Sequence, residues 1–155
     1  MSILYKKFSY LFLHWDLIRF DGKYRLIVPI LLSQFFHRFY ACDTGPAPFY
    51  KELGKKFGPI DLGFGNLGAY NFYPIIPVKD KSTAHANPEE LLSLMKDLKV
   101  KKVIGMHWGT AILSLEPIWE PPVRFKENAE RFGYKKEEAI IFKIGEIKKL
   151  KDLIN

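Results

Sequence analysis

The chain has 155 residues, 48% of them hydrophobic, which is enough for one domain with a sizeable core, so no second domain is expected. Its formal charge is +7, with 24 Lys and Arg against 17 Asp and Glu. The single Cys42 excludes an intrachain disulfide and points to a reducing compartment. A transmembrane helix is excluded as well, because no stretch reaches the ~18 uninterrupted apolar residues a span needs. The run from Leu26 to Phe36 is broken by Pro29, Ser33 and Gln34, and His37 and Arg38 follow it.

At the start, Lys6-Lys7 precedes the apolar FSYLFLHW in the order of a signal peptide, but Asp16 follows at once and no small-residue cleavage site does. Export is therefore not expected; the expected location is cytoplasmic, peripheral to a membrane at most. The positive surface suits an anionic headgroup or substrate. A nucleic-acid footprint is not expected, since no recognition-helix, aromatic or zinc-finger spacing accompanies the charge, and lysines such as Lys99, Lys101, Lys148, Lys149 and Lys151 read as a solvated face.

In chain order, Leu17 to Phe20 and Lys23 to Val28 flank Asp21-Gly22, the dipeptide most suited to a tight hairpin turn, so the chain is expected to open with a β-hairpin. Leu26 to Phe36 is apolar, and Pro29 argues against a central strand there. Arg38 to Cys42 reads as a short strand. Phe49, Leu53 and Phe57 recur four apart, with Lys51, Glu52, Lys55 and Lys56 between them, which predicts an amphipathic helix stopped by Gly58-Pro59. Ile60 to Phe64 reads as a buried strand, and the proline-bearing stretch from Asn71 to Ala84 as a loop. Asn87, Pro88 and Glu90 are spaced as the cap, first turn and capping-box partner of a second helix with Leu91, Leu94, Met95 and Leu98 on one face. Lys102 to Thr110, KVIGMHWGT, is a β-branched strand running into a loop. EPIWEPP follows, then a helix around Phe125 to Phe132 stopped by Gly133, and a last strand from Ala139 to Ile144. Strands and helices alternate, which predicts an α/β layered fold.

Three of these segments deliver a metal-capable side chain at or near the end of a strand: YLFLHW ends near His14, RFYACDTG on Asp43, and KVIGMHWGT on His107. Two imidazoles and a carboxylate form a borderline donor set that suits zinc. Taken singly, a His beside a Trp is more often a core or surface residue, and Asp-Thr-Gly is usually a turn.

The ordered succession Asp43-Thr44-Gly45, GKKFGPIDL (54–62), LGAY (67–70), HANPEEL (85–91), GMHWGT (105–110) and EPP (120–122) resembles the C-terminal half of the metallo-β-lactamase-fold hydrolases related to N-acyl-phosphatidylethanolamine-hydrolysing phospholipase D. That resemblance implies the C-terminal part of an αββα sandwich and a site for two zinc ions. It implies His14 on the first metal, Asp43 bridging both, His107 on the second, and His85 at the substrate phosphate as a catalytic group. The implied chemistry is hydrolysis of a phospholipid or other phosphodiester by a hydroxide shared between the ions.

The chain departs from the family in several places. The His-x-His-x-Asp-His motif is absent, and the histidines are His14, His37, His85 and His107 alone. Cys42 stands where the family has Gly, Asn66 where it has Pro, and the loop from Asn71 to Ala84 is longer. With so few ligands the chain is expected to hold zinc weakly or not at all, and to need a separately encoded N-terminal half as partner. Half a sandwich also leaves a sheet face or edge open. The alternative expectation is a noncatalytic remnant or binding module that keeps the fold.

Overall fold

Six strands lie side by side in one mixed sheet whose spatial order follows the chain. The computed structural model describes residues 11–20, 24–33, 36–72 and 85–154, with side chains from residue 36 onward. β1 (Leu11–Phe20) pairs antiparallel with β2 (Tyr24–Ser33), from Phe20 opposite Tyr24 to Leu11 opposite Ser33. β2 pairs antiparallel with β3 (Phe36–Tyr40). From there the ladder is parallel, through β4 (Ile60–Asn66) and β5 (Val100–Met106) to β6 (Ala139–Ile141). Parallel neighbours need a crossover, and helices supply it: α1 (Phe49–Phe57) before β4, α2 (Pro88–Asp97) before β5 and α3 (Glu120–Asn128) before β6. A short α4 (Leu150–Ile154) ends the described chain.

The expected opening hairpin is present, with longer strands; its turn, Asp21-Gly22, lies outside the described residues. The reading of Pro29 needs correction, because β2 has a neighbour on each side. The β2–β3 ladder begins at Ile30 opposite Phe39, so Pro29 pairs only with Trp15 of β1 and its missing N–H falls just past the end of that ladder. β3 starts two residues earlier than Arg38, and β6 stops at Ile141. The third helix lies earlier than the expected Phe125 to Phe132: α3 ends at Asn128, and Glu120 opens it with prolines in its first turn, where their missing N–H groups cost nothing. A 3-10 turn at Glu130–Phe132 then ends on Gly133 in the left-handed conformation, φ 77°, as expected. Most of the 71–84 loop lies outside the described residues.

The capping box of α2 is formed in full: the Asn87 side chain accepts from the Glu90 amide at 2.8 Å, and the Glu90 carboxylate accepts from the Asn87 amide at 3.0 Å. Behind it Leu91, Leu92, Leu94 and Met95 are buried, each worth ~1.5–3 kcal/mol of transfer free energy. They pack with Tyr50 and Leu53 of α1, Phe125 of α3, and Phe39, Val100, Val103 and Ala139 of the sheet. Gly63 and Gly65 of β4 let this layer close: a Cβ on Gly63 would lie 2.8 Å from the Met95 sulfur, and one on Gly65 2.3 Å from Leu91 Cδ1. On the opposite face Phe36, Leu62 and Ile104 are buried beside Leu153 of α4, with Phe64, Ile140 and Phe142 half covered. The crossover helices α1, α2 and α3 therefore occupy one face of the parallel strands and α4 the other, and the C-terminal ends of β3, β4 and β5 open on a common rim, where ligands sit in open α/β sheets.

Candidate metal centre

Asp43 follows β3, His107 follows β5, and His85 lies two residues ahead of the α2 cap, so three separate loops converge on that rim. His107 Nε2 is 3.4 Å from Asp43 Oδ1, and His85 Nε2 is 4.0 Å from Asp43 Oδ2. The two imidazoles meet edge to face with centroids 5.0 Å apart. One donor atom from each of the three residues lies within 4.8 Å of the others, and no other His, Cys, Asp or Glu group among the described residues does this. The imidazoles are largely covered, while the Asp43 side chain is 53% exposed, so the cluster is approached from the carboxylate side. A groove of about 790 Å³ between Lys102, Ile140, Lys148 and Leu153 includes none of the three residues of this cluster.

The donor chemistry fits a first-row metal such as zinc. Donors sharing one tetrahedral zinc at ~2.0–2.1 Å lie roughly 3.3 Å apart, and three protein ligands is the usual number for a catalytic zinc. The two histidines are prepared differently. The Ala69 carbonyl can only accept, so His85 Nδ1, 3.0 Å away, carries the proton and directs Nε2 as a donor atom toward Asp43. Nδ1 of His107 is buried without a hydrogen-bond partner among the described residues, so its tautomer depends on what Nε2 meets.

Backbone strain collects here. Cys42 (φ 53°), Ala69 (φ 62°) and His107 (φ 60°) all occupy the left-handed region, each next to or within the cluster. Such conformations cost ~1–3 kcal/mol apiece and persist where surroundings over-determine them. At Cys42 this conformation is one that a glycine would adopt without strain.

Asn66, read from the sequence as a departure, is fully buried and ties two of the three loops together. Its Oδ1 accepts from the Thr44 amide at 3.0 Å and its Nδ2 donates to the Ala86 carbonyl at 3.3 Å, while the Ala86 amide donates to the Thr44 carbonyl at 2.6 Å. The Thr44 hydroxyl also hydrogen-bonds the buried Tyr50 hydroxyl, whose pKa burial pushes up to about 12 despite that bond. Asp43 and His85 therefore flank a single buried knot. Asn66→Leu leaves a half-buried amide and a buried carbonyl without their partner, and is expected to cost ~1–3 kcal/mol in urea unfolding.

Of the residues singled out in the sequence, Asp43, His85 and His107 come together. His14 sits in β1 opposite Ile30, which is itself opposite Phe39, but its side chain lies outside the described residues, and its role as a ligand is an inference from resemblance. His37 is elsewhere, with Nδ1 against the Pro59 carbonyl and its amide on Asp61. Sequence reasoning placed His85 with the substrate and did not find Asn66 or the loop-bracing Glu116; a lone Asn at the end of a glycine-rich strand was the available signal for the first.

The fold is shared with Igni18, a metallo hydrolase from the archaeon Ignicoccus hospitalis, which superposes with a TM-score of 0.52 over 79% of this chain and 43% of its own, at 18% identity. In sequence the chain is similar to the N-acyl-phosphatidylethanolamine-hydrolyzing phospholipases D. The mitochondrial protein of that name from Saccharomyces cerevisiae is 35% identical over 99 residues, which is 63% of this chain and 20% of the yeast protein. Phospholipase D 1 of that name from Caenorhabditis elegans is 33% identical over 114 residues, 71% of this chain and 31% of its own length. The chain thus spans less than a third of these two relatives. No family model matches it.

Proposed function

We propose that this chain carries part of the metal centre of a zinc-dependent phosphodiesterase acting on a phospholipid of the N-acyl-phosphatidylethanolamine type. The observation that carries the proposal is the convergence of Asp43, His85 and His107 donor atoms within 4.8 Å at the rim of the parallel strands. The names of the yeast and nematode relatives supply the substrate class. Asp43 and His107 hold metal, with His14 contributing to the first ion. The exposed side of Asp43 admits the phosphodiester, and His85, with Nε2 4.0 Å from Asp43 Oδ2, contacts its phosphate. When bound, zinc supplies the Lewis acid for the phosphate and lowers the pKa of the attacking water.

Two ions need more ligands than these residues hold, since a catalytic zinc takes three protein ligands. An N-terminal half bearing His-x-His-x-Asp-His would complete the centre, and without it the chain turns over nothing. No described helix is long and apolar enough to cross a membrane.

The fixed Nδ1–H of His85 favours a second reading of that residue. A neutral imidazole in this tautomer offers Nε2 as a lone pair, which suits a metal, whereas contact with phosphate oxygens requires the doubly protonated ring. Elemental analysis after dialysis is expected to find well under one zinc per chain; two tightly retained ions would overturn the incomplete centre. Co²⁺ titration of His85→Ala separates the roles: lost uptake makes His85 a ligand, and unchanged uptake with lost inorganic phosphate binding keeps it on the substrate.

A further inference from the structure

Glu116 lies in the SLEPIWEPP stretch after β5, a segment to which the proposed chemistry gives no task. Its Oε1 accepts from the Ala69 amide at 2.7 Å, and its Oε2 accepts from the Asn71 amide at 3.0 Å and from the Ser114 hydroxyl. The Leu115 amide returns a hydrogen bond to the Asn71 carbonyl at 2.8 Å. One carboxylate thus clamps the main chain on both sides of Tyr70. Its acidity agrees with that use: partial burial alone would raise the Glu116 pKa, but hydrogen bonds from Ser114, its own amide, Asn71 and Ala69 outweigh burial and hold it below the usual range.

The residue it clamps is the one that aims His85. Ala69 is 5% exposed and left-handed at φ 62°, a conformation alanine rarely adopts unless its surroundings enforce it. Its N–H is spent on Glu116 and its carbonyl accepts the His85 Nδ1 proton. Ser114, Glu116, Ala69 and His85 form one continuous hydrogen-bonded line that ends 4.0 Å from Asp43. Partners of this kind fix the tautomer and direction of metal-binding imidazoles, and their loss usually costs ~10–100-fold in metal affinity.

We propose that Glu116 is a positioning residue for the centre: by holding Ala69 in its left-handed conformation it sets the tautomer and aim of His85. The proposal rests on the reading of Asp43, His85 and His107 as one centre, whether His85 Nε2 meets metal or phosphate there. Glu116→Gln keeps the volume but turns an amide donor toward one of the two main-chain N–H groups, so one of them loses its acceptor.

The deciding measurement is the ¹⁵N spectrum of the imidazole nitrogens of the metal-free chain, which reports the tautomer of His85 directly. The full chain is expected to show His85 almost wholly as Nδ1–H, and Glu116→Gln to show a mixture of both tautomers. Co²⁺ affinity is expected to fall about tenfold, the low end of the range for outer partners of ligands. In a His85→Ala background Glu116→Gln should cost nothing further, because the two act in one line. Glu89→Gln, which loosens the Arg124 and Asn128 contacts without touching Ala69, should lower the melting temperature and leave the His85 spectrum alone. Should Glu116→Gln fail to fold, Ser114→Ala removes one contact to the same carboxylate and is expected to shift the tautomer in the same direction by less.

An unchanged His85 tautomer in the folded variant, or Co²⁺ losses that add across Glu116 and His85, overturns the proposal. A shifted tautomer beside unchanged Co²⁺ affinity upholds the positioning and removes His85 from the ligands. If the chain takes up no Co²⁺ even when mixed with an N-terminal half bearing His-x-His-x-Asp-His, the metal reading fails, and the tautomer still decides the role of Glu116.

Discussion

Mixed with the N-terminal half of a relative that bears His-x-His-x-Asp-His, the chain is expected to hydrolyse N-acyl-phosphatidylethanolamine, and His107→Ala in that mixture to cut the rate by ~10³-fold or more. The size follows from what is removed. A metal that acidifies water and screens the phosphate contributes several kcal/mol to the transition state, and each ~1.4 kcal/mol is a factor of ten in rate. His107 supplies one of three convergent donors, and its neighbours cannot replace it, because Asp43 is already 3.4 Å away on one side and the ring edge of His85 fills the other. Assayed alone, the chain is expected to show no turnover above background in the same zinc-supplemented buffer. A noncatalytic binding module would gain nothing on complementation, and its ligand affinity would not respond to zinc or to Asp43→Ala. Zinc-dependent turnover by the chain of 155 residues on its own would mean that further ligands complete the centre.

The largest stability effect is expected at Gly54, where α1 crosses the end of α2. An added Cβ there would lie 2.0 Å from the Asp97 carbonyl oxygen and 2.9 Å from the Leu98 backbone, and both neighbours are main chain, so no side-chain rotation relieves the overlap. Separating the helices would pull fully buried Leu53 and Leu98 off the core they share. Gly54→Ala is therefore expected to cost ~3 kcal/mol or more, at the upper end for overpacking, even though alanine is the better helix former. Equilibrium urea unfolding checks this; a variant as stable as the parent would show that the two helices can move apart at little cost.

The second half of the fold was legible because its signals are local. Asn87, Pro88 and Glu90 dictate a helix start through their own hydrogen-bonding groups, and the structure forms that cap in full. The spacing of Phe49, Leu53 and Phe57, the β-branched run ahead of His107, and Gly133 after a helix likewise act over one or two turns, and each element is present. Pro29 misled because a proline's cost depends on which side of the strand carries a neighbour at that residue, and only the β2–β3 register settles this.

By itself the sequence determined the elements, the chemical types in the candidate centre and the likeness to the phospholipases D. Tertiary structure alone decided the rest. Asp43, His85 and His107 are separated by 42 and 22 positions in the chain, so their spacing carries no periodic signal, and only the parallel order of β3, β4 and β5 brings their loops to one rim. The parts of Asn66 and Glu116 are invisible for the same reason. Each binds main-chain atoms of distant segments, and a main-chain amide or carbonyl is present at nearly every residue, so nothing in the one-dimensional pattern marks which of them the fold will leave needing a partner.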